Sequence, residues 1–115
     1  MKNQTTFDFS DEKILKNIVS SIVEIADPDK IILFGSRASG KARKDSDYDI
    51  CVLKKNANRK ALLDKLYRRG ISAGAPVDII VASFKRYEEL KDKFYYIHSD
   101  INKFGKVIYE KNGRP

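Results

Sequence analysis

IILFGSRASGKARKDSDYDICVL, residues 31–53, holds two apolar runs separated by a glycine turn and a basic loop. Ile31 to Phe34 is short, continuous and apolar, which suits a buried strand from about Lys30 to Phe34, ended by Gly35. Ser36 can then cap a short helix and leave free backbone N–H groups at its start. Such a start attracts anions, because unpaired amides and the helix dipole both favour negative charge. A glycine at position 35 keeps any side chain from holding a phosphate off the backbone. Arg37, Lys41, Arg43 and Lys44 add positive potential to the loop.

The second run opens with Asp47-Tyr48-Asp49 and continues Ile50-Cys51-Val52-Leu53. On a strand from about Asp47 to Leu53, residues two apart share a face, so both carboxylates point the same way. Acidic residues are poor strand formers, and like charges this close repel. A cation removes that conflict. Hard oxygen ligands of this kind suit Mg²⁺ bound together with substrate phosphates. For the turn after the first strand and the acids before the second to serve one ligand, the two strands must be adjacent and antiparallel.

Gly35-Ser36, ten residues, then Asp47-Tyr48-Asp49 resembles the signature of the DNA polymerase β-like nucleotidyltransferase superfamily. The fuller run GSRASGKARKDSDYD is similar to the minimal nucleotidyltransferases that act as antitoxins to HEPN-domain toxins. A lone Asp-x-Asp is a weak signal; glycine-serine at this spacing between two strands is a specific one. The likeness extends from the first helix to the Gly105-Lys106-Val107-Ile108-Tyr109 ending. A rival motif overlaps it, since GSRASGK fits the phosphate-loop pattern GxxxxGK. That motif needs Ser or Thr next and a long helix, whereas here Ala42 follows and the chain soon returns to strand.

The 115 residues suffice for one domain with a small core, and 42% hydrophobic with 34% charged residues suits a soluble globular chain. No apolar run approaches a membrane span, and the polar, acidic N-terminus MKNQTTFDFSDEK is not a signal peptide. One cysteine, Cys51, excludes an internal disulfide and fits the cytoplasm, where it is expected to fill space in a core strand. A formal charge of +7 favours an anionic partner without choosing between nucleotide, nucleic acid and acidic protein.

Along the chain, residues 1–9 read as a loose arm. Ser10, Asp11 and Glu12 open a helix whose Ile14, Leu15, Ile18, Val19, Ile22 and Val23 share one face, and Asp27-Pro28 stops it. After the second strand, a helix from about Ala57 to Arg69 carries Leu62, Leu63, Leu66 and Tyr67 as its apolar stripe, ended near Gly70. Its length suits a crossover between parallel strands. Val77 to Val81 is then a third strand parallel to the second, which levels Asp78 with Asp47 and Asp49. Asp78 interrupts an apolar run, and a buried carboxylate demands a partner or a metal. Ser83 caps a helix with Phe84, Tyr87 and Leu90 inward. A further helix is expected over residues 94–104, and Lys106 to Glu110 reads as an edge strand. His98, Tyr95 and Tyr96 are read as surface or packing residues.

The resemblance implies an α/β (α+β) polymerase β-like fold, a small mixed sheet with helices packed against it, in a single domain over residues 1–115. It implies Asp47, Asp49 and Asp78 as catalytic carboxylates and ligands of two Mg²⁺ ions, and Gly35, Ser36 and Arg37 as nucleotide-binding residues. It further implies ATP as substrate and AMP transfer to a tyrosine of a HEPN-domain toxin. The chain is short, so its acceptor surface is expected from that partner or a second copy, in a hetero-oligomer or homodimer. Two alternatives stand beside this: an antitoxin that neutralises by binding alone, and a nucleotidyltransferase acting on a small molecule or nucleic acid. A plain nucleic-acid binder is disfavoured, because three carboxylates repel a phosphate backbone.

Overall fold

The structure, a computed structural model, describes residues 9–92, 101 and 105–112. Helix α1 spans Phe9–Ala26, so Ser10 lies within its first turn rather than before it. Asp11 and Glu12 sit at its positive end. Ile18 and Ile22 are fully buried on the expected face, with Ile14, Leu15, Val19 and Val23 packed around them. The stop is at Asp27, whose positive φ of 46° turns the chain into the buried Pro28. The arm at residues 1–8 and the helix expected over residues 94–104 lie outside the described residues, apart from Ile101, which is helical.

Strand β1, Lys30–Phe34, is followed by a single helical turn, α2, Ser36–Ser39. Strand β2 is Tyr48–Leu53, helix α3 Arg59–Arg69, strand β3 Val77–Ala82, helix α4 Phe84–Leu90 and strand β4 Lys106–Glu110. α3 starts later than the periodicity suggested because Asn58 caps it, its side chain accepting from the Ala61 amide at 3.1 Å. Ser83 caps α4 in the same way, accepting from Arg86 N at 3.1 Å. With no helix between α2 and β2, the phosphate-loop alternative is overturned.

The strands form one mixed sheet in the order β3-β2-β1-β4. β1 and β2 are antiparallel neighbours, with Phe34 opposite Asp49. α3 carries the chain across to β3, which pairs parallel with β2 and sets Asp78 beside Asp49. β4 lies antiparallel on the far side of β1 and is an edge strand. The central strands bury both faces, which explains their unbroken apolar runs.

One face packs Ile31, Leu33, Tyr48, Ile50 and Val52 against α1 and α3. The other packs Ile32, Phe34, Cys51, Leu53 and Ala82 against Tyr87 of α4 and Ile101. Gly105 closes that second layer: a Cβ there would run into the Ile101 carbonyl and stand 2.6 Å from Ile32 Cγ2. Tyr67, expected in the apolar stripe of α3, is 54% exposed. Its hydroxyl instead accepts from the Ile79 amide at 3.3 Å, covering part of the β3 edge.

Candidate nucleotide and metal site

The end of β1, the start of β2 and the start of β3 meet at one end of the sheet. Asp49 lies two residues before Cys51, and Asp78 two before Ile80, so both belong to the α4 face of the sheet. Tyr48, between the acids, points to the opposite face and is fully buried there.

Gly35 leaves β1 with φ 72° and ψ −156°, a region that is essentially glycine's alone. A Cβ at this position would overlap Asp49 Oδ2 and stand 3.0 Å from its Cγ. The turn backbone therefore lies directly against the Asp49 carboxylate. Gly35, not Ser36, is the N-cap of α2, and Ser36 is its first helical residue. Ala38 N and Ser39 N both donate to Gly35 O at 3.1 Å. That leaves the Ser36 and Arg37 amides at the head of the turn.

Asp49 is half-buried, and its carboxyl is held above the usual carboxylate range. Burial is the largest cause; the charges of Asp78 and then Asp47 add to it. All three acids therefore share one electrostatic field. Asp47 falls one residue before β2 and is exposed, and Asp78 is exposed on its edge strand. This corrects the expectation that Asp78 is a buried acid in need of a partner: among the described residues β3 is an edge strand, and its start stays wet. The desolvated member of the trio is Asp49.

The Arg37 guanidinium is held by the loop that follows the turn and by α1. Its Nε and Nη2 both donate to Ser46 O, at 3.2 and 2.9 Å, and Nη2 also donates to Lys44 O at 3.1 Å. Nη1 pairs with Asp11 Oδ1 at 3.2 Å, and the guanidinium carbon stands 4.4 Å from the centre of the Tyr48 ring. The Tyr48 hydroxyl donates to the same Asp11 oxygen. Asp11 drew notice in the sequence only as a helix-start acid; its tie to Arg37 and Tyr48, 26 and 37 residues away, had no local signal.

Among the described residues, no three Asp, Glu, His or Cys side chains form a ready metal cage. An all-oxygen set of mutually repelling carboxylates fits a hard divalent cation that keeps waters and takes its remaining ligands from substrate phosphates. It does not fit a closed structural zinc site, which needs four ligands from the protein.

A glycine turn thus lies against a strand-borne carboxylate, with a second carboxylate beside it on the next strand. The family model described as polymerase beta, nucleotidyltransferase matches residues 16–114, and the chain belongs to that family. A Sulfolobus solfataricus protein provisionally described as a nucleotidyltransferase shares the fold at a TM-score of 0.61 and 17% identity, with 96% of each chain covered. A toxin–antitoxin complex with AMP-PNP matches at a TM-score of 0.53 and 23% identity, over 84% of this chain and 73% of that one. A mutant of the toxin–antitoxin pair MntA-HpeT, carrying two Asp-to-Glu changes two positions apart, matches at 0.51 and 22% over the same shares. Comparison with curated proteins finds no match.

Proposed function

We propose that this chain is a Mg²⁺-dependent nucleotidyltransferase that moves AMP from ATP to a tyrosine hydroxyl of a partner toxin of the HEPN class, and so serves as an antitoxin. The observation that carries the reading is the Asp49 carboxylate, packed between the Gly35 turn and Asp78. In the reaction, the acceptor oxygen bonds to the α-phosphorus of ATP and the bond to the bridging oxygen breaks. Pyrophosphate leaves and the hydroxyl proton is released. Ser36 and the turn amides hold the terminal phosphates, and Gly35 lets them approach the backbone. Asp47 and Asp49 are the ligands assigned to two Mg²⁺ ions, and Asp78 to the side of the acceptor hydroxyl. Bound there, the metal supplies charge neutralisation at the triphosphate and lowers the pKa of the acceptor. No side-chain base is required, since positioning and electrostatics carry most of such a transfer.

Support for the antitoxin reading comes from the two toxin–antitoxin neighbours, one of them with AMP-PNP. The pair altered in the MntA-HpeT mutant has the same i, i+2 spacing as Asp47 and Asp49. The single buried cysteine agrees with a cytoplasmic setting.

The test is incubation with labelled ATP, Mg²⁺ and the protein encoded beside this one. Label should reach the partner with the wild type and not with Asp47→Asn, an exposed position whose change leaves the fold intact. Wild-type turnover by Asp47→Asn defeats the mechanism. Neutralisation of the partner by a chain lacking all three acids would establish masking by binding instead.

A further inference from the structure

We propose that Arg37 is the positioning residue that aims Asp47. The inference rests on the reading of Asp47 as a metal ligand and assigns the part of the chain that holds it in place. Asp47 precedes β2, so the strand ladder does not fix its direction. Its two chain neighbours are held instead, and one side chain reaches both. On one side, Arg37 grips the Ser46 carbonyl through two nitrogens, which sets the plane of the peptide that leads into Asp47. On the other, the same guanidinium stacks on the Tyr48 ring.

Around that grip, Lys44 O takes a further bond, and Ser46 Oγ accepts from Arg43 N at 2.8 Å, closing the loop into a turn. Asp11 anchors the assembly from α1, pairing with Arg37 and accepting from the Tyr48 hydroxyl. Tyr48 N donates to Pro76 O at 3.0 Å, so the aimed segment is also tied to the start of β3. The Arg37 side chain is 12% exposed, and its described bonds run to the loop and to Asp11. An exposed carboxylate with no ladder of its own is thus presented by a clamp reaching around to the other face of the sheet. Partners that orient a metal ligand typically contribute 10- to 100-fold in metal affinity, about what this clamp should supply.

The probe is Mn²⁺ alone, titrated into the full chain and read as paramagnetic broadening of backbone amides. Wild type should show saturable broadening at residues 47–49 and 78 that Asp47→Asn removes. Arg37→Met should raise the Mn²⁺ midpoint about 10- to 100-fold while the rest of the amide spectrum stays dispersed. Arg37→Lys should share most of that loss, because one ammonium cannot hold two carbonyls and Asp11 with a planar fork. Asp11→Asn keeps an acceptor for Tyr48 and should give a smaller rise. Ile22→Val, a core change, should lower the melting temperature and leave the midpoint alone. An unchanged midpoint in Arg37→Met or in the milder Arg37→Lys overturns the inference, whatever either does to the melting temperature. If wild type shows no broadening that depends on Asp47, the metal-ligand reading fails instead, a result distinct from the first.

Discussion

Asp49 and Asp78 are register partners on two parallel strands, placed side by side on one face of the sheet by a crossover that returns through α3. Only one of them is desolvated, and the other stays in water. The pair therefore divides into an acid held tightly against the glycine turn and one open to an incoming group. Asp78→Asn should change folding stability by no more than about 0.5 kcal/mol, as expected of an exposed site. Nucleotide transfer should fall by on the order of 10²- to 10³-fold, the usual scale for losing one charge-stabilising group. Thermal melts beside label-transfer rates separate the two effects.

Gly35→Ala should be costly for two separable reasons. The backbone conformation alone opposes a side chain by roughly 1–3 kcal/mol. The added methyl also overlaps the Asp49 carboxylate. In an Asp49→Ala background the overlap is largely removed and the conformational cost remains. Denaturant melts of the two single variants and the double should therefore be non-additive, with Gly35→Ala less damaging once Asp49 is gone.

The raised pKa of Asp49 gives stability a definite pH sign. Burial, then Asp78, then Asp47 make the folded state hold this proton more strongly than the unfolded chain does. As pH rises from the ordinary aspartate value of 3.8 through the folded pKa, the folded state binds more protons than the unfolded one, and stability falls. Asp49→Asn removes that loss. With a chelator present, the variant should melt higher than wild type at pH 7, and the advantage should vanish near pH 4. A constant difference across that range would show that the two carboxyl forms are equally tolerated.

Cys51 should behave as a core side chain. It is fully buried between β1 and β3, and burial pushes its thiol up to about 12. A disulfide reagent such as DTNB at pH 8 should modify it only as the protein opens, and rapidly in denaturant. Cys51→Ser should cost about 1–3 kcal/mol, because a hydroxyl replaces a weakly polar thiol among apolar neighbours.

Much of the sheet was legible because its strands are continuous apolar runs with clear stops. Lys30–Phe34 and the β4 span came out at their expected bounds. The antiparallel β1–β2 pair was demanded by a single ligand reaching both the turn and the acids, and the parallel β2–β3 pair by a crossover of helix length. Element starts were less legible. Asn58 and Ser83 each cap a helix, but Ser36 yields that place to Gly35, whose extreme φ and ψ are invisible in the letters alone.

By itself, the sequence determined the order of the described elements and the family, because periodicity, spacing and residue chemistry are local properties of the chain. Only the tertiary structure decided that Asp49 is the half-buried acid and Asp78 the open one, since exposure depends on which strand lies at the sheet's edge. It also gave the Arg37 guanidinium to Ser46, Lys44, Asp11 and Tyr48. A long charged side chain can reach several partners equally near in sequence or far from it. Which of them it holds is fixed when α1, α2 and β2 pack together and leave one polar niche beneath the turn.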